Sequence, residues 1–128
     1  MFSFYYGAMN AGKSTMLLQT AHNYEERGMN PILMLPQKNG TGVISSRIGM
    51  KRDAVILRDE MDAHKFLAQQ HKNKPIHCVL VDEAQFLSET QVWCLAMFSS
   101  THEIPVICFG LRTNFQGRLF IGSEILMG

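Results

Sequence analysis

The chain has 128 residues, 46% of them apolar and 18% charged, with a formal net charge of +1, the size and composition of one globular domain spanning 1–128. So small a charge offers no broad basic face to a nucleic acid polymer, and no stretch approaches the roughly 20 apolar residues of a membrane-spanning helix. The first residues run into strand-like sequence without a basic leader region, so cytoplasmic residence is expected.

Residues 2–6, Phe-Ser-Phe-Tyr-Tyr, read as a first strand. Next come Gly7, Ala8, Met9, Asn10, Ala11, Gly12, Lys13 and Ser14, which fit G-x-x-x-x-G-K-[ST]. Between a strand and a helix this is the phosphate-binding P-loop, in which glycines let backbone N–H groups turn inward onto phosphate oxygens. Lys13 would reach the β- and γ-phosphates, and the Ser14 hydroxyl would serve Mg²⁺. A helix is expected over 13–27, with Gly28 supplying the positive φ that a helix end favours. A second strand over 31–35 is stopped by Pro36, and the polar stretch 37–42 is expected to be a mobile loop. Residues 54–57 read as a third strand. Asp62 can cap a helix over 63–70 that turns Phe66 and Leu67 inward.

The apolar run 76–81 ends in Asp82 and Glu83. A buried strand closing on a carboxylate is the companion of a P-loop: Asp82 would hold the Mg²⁺ that bridges the β- and γ-phosphates. Glu83 would face the γ-phosphate and take a proton from the attacking hydroxyl or water. Ser88 and Gln91 form a capping box, and Leu87 and Val92 a hydrophobic staple, for a helix running to about residue 99. The last clear strand is 105–109. Strands alternating with helices imply an α/β fold: a parallel, RecA-like P-loop NTPase sheet with helices on both faces.

The chemistry stays open at this level. If Glu83 activates water the protein is an NTPase; if it activates a substrate hydroxyl it is a kinase. The string Asp82, Glu83, Ala84, Gln85 also fits a helicase box, although helicases need a second lobe and a basic strand-tracking groove. A single-lobe ATPase or helicase-like fragment, and a module that only binds nucleotides, are the alternatives. Cys78, Cys94 and Cys108 form no C-x-x-C pair, the five histidines are scattered, and no zinc site can be read.

Four segments stand in order: the P-loop through Thr15, residues 46–49 (Ser-Arg-Ile-Gly), residues 81–86 (Val-Asp-Glu-Ala-Gln-Phe), and the long run 106–123. Together they resemble the cytosolic thymidine kinases of bacteria, poxviruses and animal cells, and the last run is the most specific. The resemblance implies ATP- and Mg²⁺-dependent phosphorylation of the thymidine 5′-hydroxyl to dTMP, a step of deoxynucleoside salvage. It implies that Glu83 is the catalytic base and that Asp82 supports Mg²⁺. Gln85 would lie close to the nucleotide, and Arg47 in a segment that approaches ATP. Phe115 would stack on thymine, with Leu111 and Asn114 beside it, whereas by itself Phe115 also reads as core filler. Arg112 and Arg118 are candidate charge stabilisers or structural ion-pair partners. The family's homo-oligomers (dimers or tetramers) and its feedback inhibition by dTTP are implied as well. Asn114 departs from a frequent Asp. The resemblance also implies that family members continue with a zinc-holding part on paired cysteines and a lasso loop over the nucleoside, and residues 1–128 are expected to be the domain without that part. The expectation is an ATP-binding domain that binds phosphate and phosphorylates nucleoside weakly or not at all.

Overall fold

Two apolar clusters, one on each side of a single sheet, organise the chain. The computed structural model describes residues 1–7, 12–39 and 41–111. Its main sheet has five parallel strands: β1 (Phe2–Gly7), β2 (Pro31–Pro36), β5 (Val55–Leu57), β6 (Cys78–Val81) and β7 (Val106–Leu111). Their order is β1-β7-β6-β2-β5. A short antiparallel hairpin, β3 (Val43–Ser45) and β4 (Lys51–Asp53), stands apart from it.

Alternation along the strands sends neighbours to opposite faces. Leu33, Leu35, Cys78, Leu80 and Phe109 pack with Leu17, Leu18 and Ala21 of helix α1 (Lys13–Glu26). Met34, Val79, Val81, Val106 and Cys108 face the other way, against Leu67 of α2 (Ala63–Asn73) and Val92, Leu95 and Phe98 of α3 (Glu89–His102). Helices thus cover both faces, which is why the strands read as continuous apolar runs. Cys78 and Cys108 are buried on opposite faces, too far apart in direction to pair.

Local signals set the element ends. Asp62 accepts a hydrogen bond from the Lys65 N–H at the start of α2. Both halves of the Ser88–Gln91 box form, at 2.8 and 3.1 Å, and the staple residues Leu87 and Val92 are buried together. Gly28 follows α1 with φ of 74°. Pro31 and Pro36 occupy the two ends of β2, where a missing N–H interrupts the ladder least.

Three differences from the sequence reading stand out. Residues Gln37–Asn39 make a 3-10 turn, α2 and α3 run three residues beyond the expected ends, and the hairpin β3–β4 was not foreseen. That hairpin is carried on α1. Ile44 is buried with Leu17 and Leu18, and the Arg52 guanidinium grips both carboxylate oxygens of Glu25. Its turn closes through Ser46 N–H to Met50 O at 2.9 Å, with Gly49 at φ 91°.

Candidate active site

Parallel strands deliver their carboxyl ends to one edge, where ligands of open α/β sheets bind. The register pairs Gly7 with Leu111 and Val81 with Cys108. The end of β1, the end of β7 and Asp82 therefore share that edge. One strand, β7, separates β1 from β6, a span of two inter-strand spacings or about 10 Å, and a lysine at the start of α1 can bridge it.

Lys13 does so. Its Nζ donates to Asp82 Oδ1 at 2.9 Å and to Glu83 Oε1 at 2.7 Å. Ser14 Oγ donates to Asp82 Oδ2 at 2.8 Å. Asp82 is buried, and its own N–H continues the ladder to Met34 O at 3.0 Å, so its main chain is anchored in the sheet while its carboxylate is held by these partners. Burial alone would lower the Lys13 pKa. Hydrogen bonds to Glu83 and Asp82, with their charges, outweigh it and hold the ammonium above its ordinary value. Lys13 therefore stays charged throughout the neutral range.

The turn after β6 is sharp. Glu83 has φ 56° and ψ 42°, the left-handed region that costs a non-glycine residue about 1 kcal/mol or more. Its N–H donates to Asp82 Oδ1 at 2.8 Å, and the short 3-10 turn Ala84–Phe86 follows at once. Gln85, buried in that turn, donates from Nε2 to Glu83 Oε2 at 2.7 Å and accepts from the Leu111 N–H at 3.1 Å.

Gly12 precedes α1 with φ 77°, and among the described residues no side chain caps this helix start. Uncapped N–H groups and the helix dipole make such an end a fit for anionic oxygen. Beside it opens a cleft of about 840 Å³ lined by Gly12, Thr15, Met16, Gln19, Arg47 and Ile48. Arg47 thus stands in the hairpin turn over the first turns of α1. Its proximity to this cleft follows from the packing of a hairpin that the sequence did not announce.

Ser14 and Asp82 present two hard oxygens 2.8 Å apart. Adjacent vertices of an octahedral Mg²⁺ shell with bonds near 2.1 Å lie about 3 Å apart, so this pair fits two neighbouring positions of such a shell. Among the described residues no group of three or more His, Cys, Asp or Glu side chains could hold a metal ion. Ala8, Met9, Asn10 and Ala11 of the loop, and Asn114, Phe115, Arg112 and Arg118, lie outside the described residues. Leu111, at the end of β7, is the one nucleoside-side candidate within them.

Two relationships escaped the sequence reading: the double engagement of Lys13 and the bridge from Gln85 to Leu111. Both join residues distant in sequence, and only the strand order brings them together.

The model of the thymidine kinase family matches residues 1–128. Curated relatives described as thymidine kinase include proteins of Mesorhizobium japonicum, 51% identical, Xanthomonas axonopodis pv. citri, 49%, and Vibrio cholerae, 49%. Each alignment covers 97% of this chain, but 63%, 61% and 66% of the relative, respectively. The chain thus spans a little under two thirds of the length of the curated relatives it matches. Because the family match runs from the first P-loop strand through every segment described above, this chain belongs to the thymidine kinase family.

Proposed function

We propose that this chain carries the ATP-binding and proton-accepting part of an enzyme that phosphorylates the 5′-hydroxyl of thymidine, yielding dTMP and ADP. One observation carries the reading: Lys13, Ser14, Asp82 and Glu83 converge through contacts of 2.7–2.9 Å on the carboxyl edge of the sheet. The family name of the relatives supplies the substrate.

In this reading the loop Gly7–Gly12, with Lys13, Ser14 and Thr15, cradles the triphosphate. Its N–H groups and the start of α1 meet phosphate oxygens. Lys13 turns from the carboxylates to the β- and γ-phosphates, which leaves Glu83 Oε1 open. Ser14 and Asp82 would hold Mg²⁺, which when bound neutralises charge on the β- and γ-oxygens. Arg47 approaches ATP across the cleft above α1. Glu83 accepts the proton of the 5′-hydroxyl as that oxygen forms its bond to the γ-phosphorus. The bond from phosphorus to the β–γ bridging oxygen breaks, and ADP leaves. Leu111, Asn114 and Phe115 form the nucleoside side, with Phe115 stacked on thymine. Homo-oligomerisation and cytoplasmic residence belong to the same proposal. Among the described residues no helix is long and apolar enough to cross a membrane.

The test is ATP consumption by the full-length enzyme that carries this chain, with thymidine, with single-stranded DNA, and with neither. Thymidine-dependent ADP release matched by dTMP is the expected result. Consumption stimulated by DNA, or equal without any acceptor, would overturn the reading.

A further inference from the structure

The carboxamide of Gln85 joins two parts of the site that otherwise belong to different strands. It sits in the turn after β6 and is only 6% exposed. Its Nε2 donates to Glu83 Oε2 at 2.7 Å while its Oε1 accepts from the Leu111 N–H at 3.1 Å. An ionised carboxylate only accepts and a backbone N–H only donates. A bridge between them must therefore donate at one end and accept at the other. A glutamate here would set a like charge against Glu83, and a lysine could not accept from Leu111.

The backbone opposite is shaped for this bridge. A Cβ on Gly110 would lie 3.1 Å from Gln85 Oε1, 3.2 Å from Gln85 N and 3.3 Å from the Ala84 side chain. Gly110 lacks a positive φ, so this glycine serves close approach and not backbone freedom. Strand β7 can then come near enough for its Leu111 N–H to reach the carboxamide.

Glu83 needs such a holder. Its other oxygen, Oε1, is engaged by Lys13, and that cation changes partners when phosphate arrives. Oε2 is then left with Gln85 alone among the contacts described. We propose that Gln85 is a positioning residue: it fixes the Glu83 carboxylate to the end of β7, three residues before Asn114, and leaves Oε1 as the oxygen that takes the proton. This inference rests on Glu83 being the base. It gives Gln85 a structural engagement at both ends of its side chain in place of direct nucleotide contact.

Gln85→Met keeps the length of the side chain and removes both hydrogen bonds. With MgATP and thymidine, kcat should fall by up to about 100-fold, as expected for a misplaced catalytic group, while both KM values stay nearly unchanged. In a Glu83→Gln background the same change should cost almost nothing more, because Gln85 acts through Glu83. A merely structural residue would add its loss in full, and that result, or an unchanged kcat, overturns the proposal. Should Gln85→Met fail to fold, Gln85→Asn, too short to span both partners, is read the same way. If the unaltered full-length enzyme phosphorylates no thymidine, the proposed function fails on its own account. The bridge is then judged by NMR. The Glu83 carboxylate carbon and the Leu111 amide nitrogen should both shift in Gln85→Met, and an unmoved Leu111 signal overturns it.

Discussion

Lys13 Nζ lies 2.7 Å from Glu83 Oε1, so the cation proposed to bind phosphate is paired with the group proposed to take the substrate's proton. The two roles exclude each other until a triphosphate arrives. Lys13→Ala should therefore do two things. It removes the proposed phosphate ligand, and it leaves Asp82, 4% exposed at its side chain, beside Glu83 without a countercharge. Loss of one partner from a buried pair costs about 3 kcal/mol or more. Urea unfolding should show reduced stability at neutral pH, and ADP titration a large loss of affinity. Unchanged ATP use in this variant would contradict the loop assignment.

Glu83→Gln keeps the shape of the side chain and the left-handed turn but cannot accept the proton. Turnover should fall by about 100-fold or more, as general bases contribute about 10²–10⁴ in rate. ATP affinity should hold, because Lys13 no longer has to leave Glu83 to reach phosphate. Steady-state kinetics paired with an ADP titration separate the two effects. A Glu83→Gln enzyme with normal kcat would remove Glu83 from the chemistry.

How much of this was legible follows the range of each interaction. The Asp62 cap, the Ser88–Gln91 box and Gly28 act within a few residues, and each formed where the sequence put it. The continuous apolar runs named the buried strands. The hairpin was missed because its strands are three residues each, too short for alternation to register. What holds it, Ile44 on Leu17 and Arg52 on Glu25, lies on α1. The same limit hid the bridge from Gln85 to Leu111, 26 positions apart. It also hid the gathering of His64, His71 and His102 around Phe98 between α2 and α3. These contacts depend on strand order and helix packing, and no local pattern encodes either.

The Ser14–Asp82 pair predicts how the metal requirement should change. Ser14→Ala removes one of the two protein oxygens proposed to hold Mg²⁺ while leaving Lys13 in place. Half-maximal ATP use should then need more Mg²⁺, and saturating Mg²⁺ should restore much of the rate. Asp82→Asn should be more severe, since it also takes away a charge that faces Lys13. Chelation with EDTA should abolish transfer by the unaltered protein. Activity in EDTA would show that these oxygens serve another purpose.

Burial pushes the Cys78 thiol up to about 11, against a partial offset from its hydrogen bond with Tyr24, and raises Cys108 further. Thiolate is the reactive form. Cys94, half-buried on α3, should therefore be the first to react with a thiol reagent under native conditions. Mass spectrometry should find a single early adduct, which a Cys94→Ser variant lacks. Equally rapid labelling of Cys78 or Cys108 would mean that the sheet opens far more readily than its packing implies.

The Arg52–Glu25 pair is the polar anchor of the hairpin that carries Arg47. The Arg52 guanidinium holds the Glu25 carboxyl below its ordinary value of 4.5. A depressed acid adds stability that is fully present above that ordinary value and disappears as pH falls through the folded one. Both side chains are more than a third exposed, so the pair is worth at most about 1 kcal/mol and less in high salt. Glu25→Gln should thus destabilise slightly at neutral pH, with the difference from the unaltered protein closing in acid below 4.5. The larger effect should be on nucleotide handling. If the pair keeps the Ser46–Gly49 turn over α1, Glu25→Gln should raise KM for ATP while leaving kcat and the KM for thymidine nearly alone. Unchanged KM for ATP would mean that Ile44 alone seats the hairpin, and that Arg47 owes nothing to this ion pair.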